Sequence, residues 1–114
     1  MKYKNIAYID TAALADNYRT IRNRSSGAEV IAVVKADAYG HGIACAATVL
    51  GNAGCTFFAV SSEEEAVELR RIEAENGRRP SIIILGHILP ENAWTMAEHD
   101  ILCTAVSYDN AVLL

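Results

Sequence analysis

Four short apolar runs, at residues 30–35, 56–61, 81–85 and 101–106, recur about every 25 residues, each separated from the next by a longer amphipathic stretch. That alternation constrains the fold more than any other feature. Strands joined through helices pair in parallel, because a parallel connection must carry the chain back to the starting edge. A further strand is expected at residues 3–9. Asp10 or Thr11 can cap the first helix, which carries Leu14, Tyr18 and Ile21 on one face and ends at Ser25-Ser26-Gly27. An alanine-rich helix is expected from about Ile43 to Asn52, stopping at Gly54. Ser62 with Glu65 has the spacing of a capping box, and the helix after it should bury Ala66, Leu69 and Ile72 before Asn76-Gly77 stops it. Pro90 suits a helix first turn, with Ala93, Met96 and Ala97 on the inner side and Trp94 packed on the sheet. Ser107 can cap a last helix that the chain barely begins.

These are about four βα units. The expected fold is α/β, the N-terminal half of a (β/α)8 barrel occupying residues 1–114. A closed barrel of this kind takes about 250 residues, and four strands leave two open edges. The chain therefore reads as the N-terminal piece of a longer protein. The alternative is a small open sheet complete in itself.

Composition removes several classes of function. Net charge is −4 and no basic stripe exists, which argues against a nucleic-acid partner. No apolar run approaches the roughly 20 residues of a membrane span. Lys2 and Lys4 precede no apolar segment of the kind a secretory signal needs. Cys45, Cys55 and Cys103 are odd in number and lack metal-ligand spacing, so they read as reduced thiols of a cytoplasmic protein. His87 and His99 likewise suggest no metal, and no metal site is expected.

The chemistry concentrates at residues 30–42, V-I-A-V-V-K-A-D-A-Y-G-H-G. An apolar strand ends there in Lys35. Strand alternation puts Ile31, Val33 and Lys35 on one face and Ala32 and Val34 on the other, under the helices. A lysine in apolar surroundings loses part of its preference for the charged form and becomes a nucleophile toward aldehydes. Pyridoxal phosphate is the aldehyde cofactor that amino-acid enzymes capture as a Schiff base. The competing reading is a rim lysine whose stem lies on apolar surface while its amine reaches water. Gly40-His41-Gly42 leads into a helix start whose N–H groups could meet an anion, although such turns more often serve only to reverse the chain. His41 is the weaker acid–base candidate, since a histidine in a tight turn often satisfies local backbone instead. Glu63-Glu64-Glu65 is most simply a helix N-terminus, and Arg78-Arg79 a solvated loop.

Lys35-Ala36-Asp37-Ala38-Tyr39-Gly40-His41-Gly42 resembles the cofactor-lysine motif of alanine racemases. Ile31 to Val34 before it, Tyr8-Ile9-Asp10 with Leu14 and Asn17, Phe58-Ala59-Val60 with Glu64-Glu65-Ala66, and Ile84-Leu85-Gly86 extend the resemblance over nearly the whole chain. Asp37 departs from it mildly, where the family more often has Asn. The resemblance implies pyridoxal 5'-phosphate held on Lys35, with the Tyr39 hydroxyl on its phosphate and Val33 and Leu85 against its ring. For Val33 and Leu85 the residues themselves leave plain core packing equally open. Lys35 would also move the α-proton on one face of the substrate. The second base would be a tyrosine from the C-terminal domain of a partner subunit, which implies a homodimer. The implied activity is interconversion of L-alanine and D-alanine, supplying D-alanine for peptidoglycan, with this chain alone inactive. A racemase for serine or another small amino acid, a non-catalytic pyridoxal phosphate carrier of the same barrel, and a purely structural domain are the alternatives.

Overall fold

A computed structural model describes residue 2 and residues 4–114. Four strands form one parallel sheet in the order β1-β2-β3-β4: β1 Ala32–Val33, β2 Phe57–Val60, β3 Ser81–Ile84 and β4 Leu102–Cys103. The helices are α1 Thr11–Arg24, α2 Ile43–Asn52, α3 Glu63–Glu75, α4 Ala93–Glu98 and α5 Tyr108–Leu113. The parallel βα order is the one the apolar spacing implies.

Sequence signals at the helix ends hold in detail. Asp10 Oδ1 accepts the Ala13 N–H at 2.9 Å, Ser62 Oγ the Glu65 N–H at 3.2 Å, and Ser107 Oγ the Asn110 N–H at 3.0 Å. Each satisfies a donor that the first helical turn leaves without a partner. Past α1, Ser26 and Gly27 turn the chain with φ of 53° and 83°.

One face of the sheet and the helices form the core. Val34, Phe58, Val60, Ile82 and Ile84 are buried against Ala46, Ala47 and Leu50 of α2, Ala66, Leu69 and Ile72 of α3, and Met96 of α4. Full burial of a side chain such as Phe58, Leu69 or Ile82 stabilises by about 1.5–3 kcal/mol. The opposite face carries Val33, Ala59, Ile83 and Leu102 in one row across the ladder. No helix among the described residues covers it: Val33 is 40% and Leu102 48% exposed at its edges, although the small Ala59 between them is buried. The molecule is accordingly flat, 47 × 45 × 26 Å.

Several elements differ from expectation. Residues 4–9 form no strand, and Tyr3 lies outside the described residues. β1 and β4 hold two residues each, shorter than expected, and β1 ends where Val34 leaves the extended region. Pro90–Asn92 form a 3-10 turn before α4. That short helix buries Met96, and Trp94, two positions away and so about 200° around the axis, is 82% exposed rather than packed on the sheet. Ala97 is exposed as well. Arg78 is not a free loop residue. Its Nε lies 2.8 Å from Glu73 Oε2 and its Nη2 3.1 Å from Oε1, and the Glu73 side chain is fully buried. Gly51 leaves the room this requires: a Cβ there would sit 2.5 Å from the guanidinium.

Candidate functional site

In a parallel sheet all strand C-termini lie on one rim. Here that rim holds Lys35, Ser61, Leu85 and Thr104. The β1–β2 ladder closes with the Val34 N–H donating to Ala59 O at 2.9 Å, and the β2–β3 ladder with the Leu85 N–H donating to Val60 O at 2.8 Å. Thr104 Oγ1 donates to Ile84 O at 2.7 Å and joins the fourth strand end to the third.

Val34 has already left the extended region, at φ −119° and ψ 22°. Strand alternation therefore stops one residue before Lys35, and the turn that follows sets that residue's placement. Lys35–Tyr39 form a single turn of left-handed hand: φ lies between 51° and 54° at Ala36, Asp37, Ala38 and Tyr39. For residues with a Cβ this conformation costs roughly 1–2 kcal/mol each, so the turn needs compensation. The Ala38 N–H donates to Val34 O at 3.0 Å, and the Gly42 N–H to Asp37 O at 2.9 Å. Gly40 and Gly42, at φ of 90° and 86°, carry the chain out of the turn where a side chain would add strain.

Two carboxylates complete the turn. Asp37 Oδ1 accepts the Ile43 N–H at 2.8 Å and caps α2 from six residues upstream. This brings an acidic group to the helix start, so that start is not the anion cradle its glycines suggest. Glu65 Oε1 accepts the Ala36 N–H at 3.1 Å, while its Oε2 accepts the Ser61 N–H at 2.8 Å and the Ser61 hydroxyl at 3.1 Å. The expected capping box is therefore only half a box. Ser62 caps α3, but the Glu65 carboxylate reaches past the cap to the end of β2 and across to the turn after β1. Burial pushes the Glu65 carboxyl up, and its hydrogen bonds from Ser61 and Ala36 outweigh that and hold it below the ordinary glutamate range.

Lys35 is half-buried at the start of this turn and makes no ion pair among the described residues. Val33 lies two residues before it on the uncovered face, and Leu85, 50% exposed, follows β3 on the same rim. Tyr39 ends the turn and is 63% exposed. His41 Nδ1 lies 2.9 Å from Ala38 O, so the ring is engaged with local backbone. His99 Nδ1 is likewise 2.9 Å from Thr95 O. No group of three or more His, Cys, Asp or Glu converges among the described residues, and no helix there is long and apolar enough to cross a membrane. A cavity of about 480 Å³ lies between α3 and α4 against Glu63, Val67, Arg71 and Met96, and neither Lys35 nor Tyr39 lines it.

Residues 9–114 match the family model described as alanine racemase, N-terminal domain. The chain belongs to the alanine racemase family. An alanine racemase of Clostridium tetani is 41% identical over 105 residues, which cover 92% of this chain and 26% of that protein. The alanine racemase of Bacillus anthracis, solved with bound L-Ala-P, superposes with a TM-score of 0.80 at 30% identity, covering 95% of this chain and 29% of that one. The alanine racemase of Bartonella henselae, solved with covalently bound pyridoxal phosphate, gives 0.75 at 36% identity over 83% and 27%. A histidine racemase from Leuconostoc mesenteroides gives 0.77 at 30% over 90% and 27%. The chain spans about a quarter of the length of the curated relatives it matches. Its four-stranded sheet corresponds to part of the N-terminal barrel domain of alanine racemases.

Two members of the rim were not legible as such. The sequence marks Glu65 as a helix-capping residue and as part of the family resemblance, and Ser61 as a strand end, with no sign that Glu65 joins Ser61 to the turn after β1. No local motif marks a carboxylate that bonds a backbone amide 29 residues away.

Proposed function

We propose that Lys35 is the amine that holds pyridoxal phosphate and that the full-length protein uses it to interconvert L-alanine and D-alanine. The observation that carries this reading is the placement of Lys35. It stands at the C-terminal end of β1, the end at which (β/α)8 enzymes do their chemistry, in a chain whose relatives are alanine racemases. The residues around it suit the cofactor: an amine for the aldehyde, and the exposed apolar side chains of Val33 and Leu85 to flank an aromatic ring. When bound, pyridoxal phosphate takes up the electron pair left behind as the substrate α-proton departs.

Lys35 would hold the cofactor through its amine, and the same amine would carry a proton to and from one face of the substrate α-carbon. Tyr39 would donate its hydroxyl to the phosphate. The base for the other face comes from a partner subunit, so the working enzyme is a homodimer and this chain alone does not turn over alanine. We place the enzyme in the cytoplasm, where its product supplies peptidoglycan synthesis.

The test mixes the purified protein with pyridoxal phosphate, reduces with borohydride, digests, and locates the adduct by mass spectrometry. A single adduct on Lys35, with Lys2 and Lys4 unmodified, supports the reading. Scattered labelling of the full-length protein overturns it. A second reading, racemisation of a different amino acid, is favoured by the likeness to the Leuconostoc histidine racemase. Assaying the full-length protein against alanine, serine and histidine separates the two, and no racemisation of any of them would leave a carrier.

A further inference from the structure

The Glu65 carboxylate touches three donors, on two different strand ends. Its Oε2 is held by both the N–H and the hydroxyl of Ser61, directly after β2, and its Oε1 by the N–H of Ala36, directly after Lys35. The Ala36 N–H belongs to the first residue of the left-handed turn. The first internal bond of that turn comes two residues later, from the Ala38 N–H to Val34 O. The Ala36 amide would otherwise be an orphan donor, as the first donors of any helical turn are. Glu65 thus does for the left-handed turn what an N-cap does for a helix, from the neighbouring strand's loop. Strand alternation has ended at Val34, and the β1–β2 ladder ends at the Val34 N–H. Beyond that point, the bond from Ala36 to Glu65 is what ties the Lys35 backbone to the rest of the sheet.

We propose that Glu65 is a positioning residue for Lys35: its carboxylate fixes the Ala36 peptide to the end of β2 and so sets the turn from which the amine projects. The proposal rests on Lys35 being the cofactor amine. Glu65 itself does not touch the reacting atoms. Its role is to keep the Lys35–Tyr39 turn in one conformation, so that the amine and the tyrosine hydroxyl present themselves together.

The full-length protein tests this with three variants, Glu65→Ala, Glu65→Gln and Ser61→Ala, each checked for folding by circular dichroism and thermal unfolding. The readouts are the apparent dissociation constant for pyridoxal phosphate, from absorbance titration, and hydrogen exchange at the Ala36 amide. Loss of a hydrogen bond to a charged acceptor at the binding turn should weaken cofactor binding by roughly tenfold in Glu65→Ala. Glu65→Gln, which keeps one acceptor oxygen, should fall between it and the parent. Ser61→Ala removes a hydrogen bond from the same carboxylate but leaves the Ala36 bond in place. It should stay within about twofold of the parent in affinity even if its melting temperature drops. Faster exchange at Ala36 should accompany the loss in both Glu65 variants and not in Ser61→Ala. Equal affinities in the folded Glu65 variants and the parent overturn the proposal, as does a Ser61→Ala loss as large as that of Glu65→Ala. Should Glu65→Ala not fold, Glu65→Gln against Ser61→Ala decides it. A parent protein that binds no pyridoxal phosphate on Lys35 overturns the functional reading, and the positioning role falls with it.

Discussion

Replacing Arg78 by methionine should destabilise the protein by about 3 kcal/mol. The Glu73 side chain is fully buried, and its carboxylate is held by two bonds from one guanidinium, at 2.8 and 3.1 Å. Removing one partner of a buried pair leaves an unpaired charge in a poorly polarisable site, which costs about 3–5 kcal/mol. The lower end applies because 26% of the Arg78 side chain meets solvent and Asn76 Nδ2 still donates to Glu73 Oε1 at 3.3 Å. Arg78 also ties α3 to α2 through Asn52 Oδ1, at 2.6 Å, and Thr48 O, at 3.3 Å. Domains of this size are stable by roughly 6–17 kcal/mol, so the loss is a large fraction of the whole. Urea denaturation followed by circular dichroism measures it. Trp94 is too exposed to report on unfolding. The double variant Glu73→Leu with Arg78→Met removes both charges, and it should recover most of the loss, to within about 1 kcal/mol of the parent. If Arg78→Met costs less than about 1 kcal/mol, or the double variant is less stable than the single one, the claim that an uncompensated buried carboxylate causes the loss is refuted.

Asp37→Ala should lose about 1 kcal/mol by uncapping α2, and Asp37→Asn much less, because the amide oxygen still accepts the Ile43 N–H; thermal unfolding of the two side by side checks this. Glu65 and Glu63 carboxyls are both held low, Glu63 first by its own backbone N–H and further by Asn92, the Leu89 N–H and the charge of His87, against an upward push from burial. A depressed carboxyl stabilises above its unfolded value, about 4.3, and that contribution disappears as pH falls through the folded value. Stability should therefore drop below about pH 5, and Glu65→Gln should show a shallower drop in acid denaturation curves. Burial pushes the Cys55 thiol up, and its Sγ–H donates to Phe57 O at 3.3 Å. Cys55 should thus alkylate far more slowly than half-buried Cys45 under native conditions, and equal labelling by mass spectrometry would contradict this.

The element order was readable because strand, helix and cap signals agreed. Ser62, Asp10 and Ser107 each stand where an apolar period of 3.6 begins, and each caps its helix. Pairing sets the strand limits. Val30 and Ile31 have the composition of a strand, yet the ladder reaches only Ala32 and Val33. Composition also misjudged side chains on short elements. Trp94 sits on a six-residue helix whose rotation is set by Met96, and a large aromatic there has no sheet to meet. Arg78 looked solvated because its partner Glu73 lies on a helix face that local sequence cannot show to be buried.

The Lys35 turn is where local reading stops for a physical reason. Ala36 and Ala38 have ordinary right-handed preferences; Asp37 alone tolerates the left-handed region, and one such residue does not call for four successive residues at positive φ. Such a turn persists only where surrounding structure over-determines it. The determinants here are dispersed: Val34 O before it, Gly42 and Ile43 after it, and Glu65 from another βα loop. The residue identities that make Lys35 chemically interesting thus differ from those that decide where it sits. A substitution such as Ala36→Gly, which removes the Cβ penalty at φ 51°, leaves the Glu65 bond intact and should preserve the turn. Proline at the same position has no N–H to give Glu65 and a fixed negative φ, and should abolish it.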